Sequence, residues 1–128
     1  RDWSSDVCSS DLNFLNYYSR TWILDDEGKV VKPGASEVGF WRPKENKTLE
    51  VVIAHSTGIS EGWVGVHDGP KIQLAMDQGY SSPTAKIVTG GSRLYGLVEG
   101  ELFFAYDMAA EGQTLQAHIW STMKRQDG

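Results

Sequence analysis

Residues Leu49–Met76 read LEVVIAHSTGISEGWVGVHDGPKIQLAM, and this stretch decides the fold class. It holds three short runs separated by turn residues. Leu49–His55 is rich in β-branched side chains, which favour strands. Ile59–Val66 and Lys71–Met76 alternate between apolar and polar positions, as half-buried strands do, and His67–Pro70 between them is a strong turn signal. In the second run, Ile59, Glu61, Trp63 and Gly65 would share one face of the strand.

The same pattern continues on both sides of this stretch. Further strand candidates are Phe14–Leu24, Glu37–Arg42, Thr84–Thr89, Arg93–Val98, Glu101–Met108 and Thr114–Arg125. The links between them are too short for parallel crossovers, and closure of a long antiparallel series removes its exposed edges. The sequence therefore predicts an all-β fold, an antiparallel up-and-down β-barrel of about ten strands. Such a barrel either holds a ligand or has a collapsed interior.

Composition narrows the function classes. The chain has 128 residues and a formal charge of -5. An acidic chain without a Lys/Arg cluster is a poor candidate for nucleic-acid binding. No apolar stretch is long enough for a membrane-spanning helix. A single cysteine excludes a disulfide framework within the chain and any multi-cysteine metal site. With no visible export signal, we expect a cytoplasmic protein.

The segment 1–12, RDWSSDVCSSDL, has no usable pattern. A DNA string that reads as Asp2 to Leu12 looks like a common sequencing-adapter primer. We therefore interpret residues 1–12 as a non-native artefact and 13–128 as the domain. On this interpretation Cys8 has no functional role, and the first strand or strands of the natural barrel are missing.

Four side chains are candidates for chemistry. His67 lies in a turn, where we expect it to be exposed and inert. His55 ends a strand at the rim of the barrel, where a structural role is the simpler reading. His118, in LQAHI, lies on the last strand and shares a face with Gln116, Trp120 and Thr122 if the strand is regular. One imidazole suffices to hold haem iron, because the porphyrin supplies four nitrogens. Lys86, in PTAK, is either a ligand contact or an exposed strand lysine.

Several stretches taken together resemble the nitrobindin family of haem-binding β-barrels, whose bacterial members are called peroxynitrite isomerases. They occur in the order and spacing of the family. The matching stretches are Glu37–Pro43 (EVGFWRP), Leu49–Gly58 (LEVVIAHSTG), Pro83–Val88 (PTAKIV), Arg93–Glu101 (RLYGLVEGE) and Met108–Ile119 (MAAEGQTLQAHI).

This resemblance implies a ten-stranded barrel, similar in shape to the fatty-acid-binding proteins, with one ferric haem b near its mouth. It implies that His118 is the axial iron ligand and that Lys86 contacts a haem propionate. It also implies isomerisation of peroxynitrite to nitrate, with reversible binding of NO to ferrous haem.

Two departures from the family pattern matter. The GxWxGxG motif of the family's first strand has no match here, so the barrel is expected to be open along one edge. The stretch Pro33–Ser36 stands where some relatives carry a distal histidine, so an apolar distal side is expected. The alternatives are a non-enzymatic haem or NO carrier or sensor, and a carrier of apolar, fatty-acid-like ligands. Small molecules are the expected partners, and a homodimer is left open.

Overall fold

A computed structural model describes the backbone of residues 2–9, 12–110 and 116–124, and the side chains of residues 13–109 and 121–124. A 3-10 turn at Glu45–Lys47 is the single helical segment within these ranges. The strands are β1 (Asp2–Ser9), β2 (Leu12–Leu24), β3 (Val30–Pro43), β4 (Thr48–His55), β5 (Ile59–Asp68), β6 (Lys71–Ser81), β7 (Val88–Val98), β8 (Glu101–Ala110) and β9 (Gln116–Lys124).

The nine strands form one sheet in which each strand pairs with its neighbours along the chain. Every pairing is antiparallel, from β1 with β2 to β8 with β9. Short hairpin connections allow this order, because antiparallel neighbours need no crossover. The predicted all-β, up-and-down arrangement is therefore confirmed.

The sheet is rolled so that distant strands meet across its interior. The guanidinium of Arg93 on β7 lies 3.0 Å from each carboxylate oxygen of Glu37 on β3. These strands are four positions apart in the sheet, which in a flat sheet would separate them by about 19 Å. The roll therefore makes a barrel, and β1 and β9, the two ends of the strand order, leave the described barrel open between them.

The first strand lies within the segment that we set aside on its sequence. The backbone of Asp2–Ser9 pairs with β2 from Asp2↔Tyr18 to Ser9↔Leu12. Backbone pairing of this kind does not depend on a side-chain pattern, so it can form where the sequence gives no periodic signal. The artefact interpretation concerns the origin of the segment, and it stays a prediction.

Alternation along the strands builds the core. On β4 the inward positions Leu49, Val51 and Ile53 are almost completely buried, while the residues between them are exposed. On β5, the alternation placed Glu61 and Trp63 on one face, and the structure shows that both are buried. The buried cluster also includes Tyr17, Trp41, Leu74, Tyr95 and Tyr106.

The barrel has two ends, which are named here by residues in their connections. At the Lys86 end β2, β4, β6 and β8 finish, and β9 begins. At the Pro70 end β3, β5 and β7 finish. The β7–β8 turn at the Pro70 end places both Glu99 and Gly100 at positive φ, as tight two-residue hairpin turns require.

Candidate functional site

The topology gathers two of the predicted site residues at one end of the barrel. Lys86 lies in the connection from β6 to β7, two residues before β7 begins. His118 is the third residue of β9, which begins at the same end. The start of β7 pairs with the finish of β8, as Val88 with Ala110, and β9 then pairs with β8. The backbone therefore brings positions 86 and 118 to the Lys86 end.

Lys86 presents its ammonium group to solvent. It forms no ion pair with a carboxylate among the residues that the structure describes. An exposed lysine that no described carboxylate holds can contact an anionic ligand, because its flexible stem places a point charge over a range of positions.

The backbone of β9 has an irregularity at His118. Ile119 pairs with Tyr106, whereas Ala117 pairs with Asp107, so the register shifts as β9 passes residue 118. The side chain of His118 lies outside the described residues. The shift means that the regular alternation assumed from the sequence does not hold through this point. Bulges of this type are common next to functional sites, where they re-aim a side chain.

The other two histidines lie at opposite ends of the barrel. His55 is at the Lys86 end, with Nε2 2.5 Å from Glu61 Oε1 and Nδ1 3.6 Å from Glu37 Oε2. His67 is at the Pro70 end, where it is half-buried rather than exposed as we expected. The reason is that His67 is part of β5, one residue before its end, and pairs with Ile72, which packs against the core.

A buried charged cluster, formed by Glu37, His55, Glu61 and Arg93, spans the barrel interior. Arg93 has no exposed side-chain surface and forms a bidentate ion pair with Glu37. Burial alone would raise the pKa of Glu37, but the Arg93 guanidinium holds that pKa below its ordinary value. Paired in this way, the two charges avoid the large cost of isolated buried ions.

Tyrosine hydroxyl groups complete this ion pair. Tyr17 donates a hydrogen bond to Glu37 Oε1 at 2.9 Å, and Arg93 Nη1 lies 3.1 Å from the hydroxyl of Tyr95. Burial raises the pKa of both phenols, so they remain protonated at neutral pH.

Glu61 is the second carboxylate of the cluster, and four groups surround it. Oε1 accepts from His55, at 2.5 Å, and from Trp63 Nε1, at 3.3 Å. Oε2 accepts a hydrogen bond from the Tyr106 hydroxyl at 3.3 Å. Arg93 Nη2 is 3.8 Å from Oε1. The carboxylate thus joins β4, β5, β7 and β8 at a single point.

Rings enclose the guanidinium and fill the interior towards the Pro70 end. Arg93 Cζ is 4.8 Å from the ring centre of Trp63 and 4.5 Å from that of Tyr106, which are favourable cation–π distances. Below it, Trp41 packs edge-on against Tyr95 at 5.0 Å, and Tyr95 stacks on Phe104 at 4.7 Å. The Pro70 half of the described interior is therefore collapsed onto aromatic side chains.

Sequence reasoning did not identify this cluster. Glu37 and Arg93 are 56 residues apart, and their contact depends on how far the sheet rolls. Two signals were present. Glu61 shares the inward face of its strand with Trp63, and Arg93 precedes an inward aromatic residue in RLYGLV. A charged residue at an inward position of a strand indicates a buried ionic partner elsewhere in the barrel.

An open groove of about 380 Å³ lies between β2, β3, β4 and β5. Its lining is apolar or neutral, without a histidine, lysine or acidic side chain. The lining residues are Asn16, Tyr17, Val38, Gly39, Phe40, Val52, Ile53, Ala54 and Ser60. The groove therefore lacks the chemical groups of the Lys86 end.

Two further properties bear on the kind of site. In the part of the chain that the structure describes, no three His, Cys, Asp or Glu side chains meet in a way that would hold a metal ion. Within the same residues, no helix has the length and apolarity needed to cross a bilayer.

Comparison with known proteins identifies the family. Residues 6–125 match the model of the THAP4-like, heme-binding β-barrel domain. The chain belongs to this family. The match begins inside the 1–12 segment and covers both the charged cluster and the two predicted haem contacts.

Individual relatives of this heme-binding barrel agree. The chain is 46% identical over 113 residues to a protein of Nocardioides sp. named peroxynitrite isomerase. The alignment covers 88% of this chain and 69% of that protein. The chain is also 39% identical over 126 residues to a ferric nitrobindin-like protein of Kineococcus radiotolerans. This alignment covers 88% of this chain and 70% of that protein. The resemblance to nitrobindins is thereby confirmed.

A solved structure of the same fold is similar as well. The crystal structure of Rv2717c from M. tuberculosis superimposes with a TM-score of 0.76 at 36% sequence identity. The superposition covers 89% of this chain and 73% of the solved one. The rolled antiparallel sheet is therefore shared with an experimentally determined structure.

The residue types that the backbone brings to the Lys86 end are those that a haem site uses. A haem needs one imidazole for its iron and favours a cation near its propionates. His118 and Lys86 supply these two residue types at one end, and Lys86 has no competing carboxylate among the described residues. The other half of the described interior is closed by packed rings.

Proposed function

We propose that this chain binds one haem b at the Lys86 end of the barrel and isomerises peroxynitrite to nitrate. His118 is the proximal ligand in this proposal, and Lys86 contacts a haem propionate. The observation that carries the proposal is that positions 86 and 118 lie at the same end of a barrel that belongs to a heme-binding family.

The relatives support the reaction. The proteins of Nocardioides sp. and Salinispora tropica, at 46% and 38% identity, are both named peroxynitrite isomerase. Peroxynitrite and nitrate have the same atoms and charge, so the conversion needs neither an external oxidant nor a reductant. Ferric haem, when bound, supplies a Lewis-acidic iron for the peroxo anion.

The chain's own residues have three roles in this proposal. The imidazole of His118 would donate a nitrogen lone pair to the iron and set its electronic properties. The ammonium of Lys86 would hold a propionate as a point charge. The aromatic packing below the site would confine the ligand to the Lys86 end and limit access of water from the Pro70 end.

Hemin titration tests the cofactor assignment. We expect hemin to shift the Soret band on binding to the wild-type chain. His118→Ala should raise the hemin Kd by at least about tenfold, because loss of even an outer partner of a metal ligand has an effect of that size. His67→Ala is the matched control, since it removes an imidazole at the Pro70 end. Equal Kd values for His118→Ala and the wild type would reject His118 as the ligand.

The isomerase activity needs its own measurement. Stopped-flow decay of peroxynitrite and the yield of nitrate are compared between the haem-loaded protein and free hemin at the same iron concentration. We expect faster decay and more nitrate with the protein. Decay and yield no greater than those of free hemin would contradict the enzymatic part of the proposal while leaving haem binding intact.

A haem or NO carrier or sensor is the alternative on the same site. Binding of NO to the ferrous protein, without faster peroxynitrite turnover, would favour it. Carriage of a long apolar chain is disfavoured, because the interior that such a chain would occupy is filled by Trp41, Tyr95 and Phe104. A cytoplasmic location and the oligomeric state stay predictions.

A further inference from the structure

Glu61 connects the buried charged cluster to the strand beside the proposed iron ligand. Its side chain is only 1% exposed. Its two oxygens serve different neighbours: Oε1 is occupied by His55 and Trp63, whereas Oε2 accepts from the hydroxyl of Tyr106 on β8. The hydrogen bond to Oε2 therefore links β5 to β8, the strand that pairs with β9.

Tyr106 lies next to the register shift between β8 and β9. It pairs with Ile119, and the register shifts between Tyr106 and the next residue of β8, Asp107. The backbone of His118 lies within this shift. Tyr106 is thus the last β8 residue in regular register with β9 before the strand passes His118.

The Tyr106 side chain is itself held firmly. Its ring packs at 75° against Trp63, with 5.9 Å between ring centres, and lies over the Arg93 guanidinium at 4.5 Å. Burial raises the pKa of its hydroxyl, so the phenol remains a hydrogen-bond donor to Glu61 at neutral pH. Ring packing orients the side chain, and its hydroxyl lies 3.3 Å from Glu61 Oε2.

We propose that Glu61 is a positioning residue for the haem ligand: through the Tyr106 hydroxyl it sets where β9 departs from regular register, and so where His118 meets the iron. This inference rests on the proposed function, since it takes His118 to be the ligand. Groups behind a metal ligand commonly set its orientation and its affinity for the metal. The carboxylate of Glu61 would act less directly, through Tyr106 on β8, which pairs with the strand that carries His118.

Tyr106→Phe is the cleanest test, because it removes one oxygen and keeps the ring against Trp63 and Arg93. We expect it to weaken hemin binding roughly two- to tenfold, the effect of one hydrogen bond. We also expect it to shift the iron–histidine stretching band in the resonance Raman spectrum of the ferrous protein. Tyr95→Phe is the matched control, since that buried phenol contacts Arg93 rather than Glu61.

A double-variant cycle separates positioning from general loosening of the core. If Glu61 acts through Tyr106, the band shift in Glu61→Gln combined with Tyr106→Phe equals that of the larger single change, whereas independent effects would add. Urea unfolding of the haem-free variants checks that each is folded. Should Glu61→Gln fail to fold, the comparison of Tyr106→Phe with Tyr95→Phe decides alone.

The outcomes distinguish this inference from the proposed function. An iron–histidine band that is unchanged in Tyr106→Phe, or shifted equally in Tyr95→Phe, would overturn the positioning role while His118 remains the ligand. Hemin binding that is unaffected by His118→Ala would instead overturn the proposed function, and the positioning role with it.

Discussion

The two halves of the barrel are built by the same alternation but differ in what they bury. Towards the Pro70 end the inward positions are aliphatic and aromatic, and Trp41, Tyr95 and Phe104 pack ring against ring. Towards the Lys86 end the inward positions carry the buried charged cluster. The comparison shows that a strand pattern fixes which residues face inward, whereas their partners across the barrel decide whether a region serves packing or chemistry.

The largest effect should come from breaking the cluster. Arg93→Met removes the cation and leaves Glu37 and Glu61 without their shared counter-charge, so we expect a loss of about 3–5 kcal/mol in the free energy of unfolding. The matched control is Arg42→Met, which breaks the exposed pair of Arg42 with Glu50 at 2.8 Å and should cost about 0–1 kcal/mol. Urea unfolding measures both. Equal losses would mean that the buried pair contributes no more than a surface one.

In the Pro70 half of the barrel, stability should depend on how well side chains fill the interior and not on charge. Leu49→Ala leaves a cavity at a buried position near the Pro70 end, and should cost about 2–5 kcal/mol in the free energy of unfolding. The hemin Kd should stay within about twofold of the wild-type value, because Leu49 is remote from the Lys86 end. A loss of hemin affinity in proportion to the lost stability would show that the two halves do not act separately.

The loss of folding stability at low pH should arise from the buried charged cluster. Because Arg93 holds the pKa of Glu37 below its ordinary value, the folded state binds its proton less tightly than the unfolded state does. The resulting stabilisation is complete above the ordinary carboxyl pKa of 4.5 and is lost as the pH falls through the lower, folded value. Urea unfolding between pH 7 and pH 3 should show this loss below pH 4.5.

Glu37→Gln is the control for this pH dependence. It should be less stable than the wild type at pH 7, and its free energy of unfolding should fall less steeply as the pH is lowered. A fall as steep as that of the wild type would show that other carboxylates cause the pH dependence.

The smallest effect should come from the surface of the Lys86 end. Lys86→Gln should raise the hemin Kd by roughly two- to fivefold at low salt and by less at high salt, as expected for one exposed charge. Lys47→Gln removes an exposed lysine near the Pro70 end and should leave the Kd unchanged. An equal, salt-independent effect of both changes would remove Lys86 from the site.

Much of the fold could be predicted from the sequence, because alternation in runs such as LEVVIAH and ISEGWVGV determines strands and faces locally. The hairpin order follows from the short turns between them. The contact of Glu37 with Arg93 could not be predicted in this way, since it depends on the roll of five consecutive strands, β3 to β7.

The site was predicted less completely than the fold. Resemblance to nitrobindins pointed to His118 and Lys86, and the topology brings both positions to one end. The register shift in β9 was not predicted, because regular alternation was assumed through residue 118. A bulge depends on pairing with the neighbouring strand, and neither LQAHI nor ELFFAYDM contains a local signal for it.

The central claim is that His118 binds haem iron at the Lys86 end, and the ferrous iron–histidine stretching band tests it most directly. We predict that this band is present in the haem-loaded wild type and in His67→Ala. In His118→Gly it should be absent, and it should return when free imidazole is added. An unchanged band in His118→Gly without imidazole would contradict the claim.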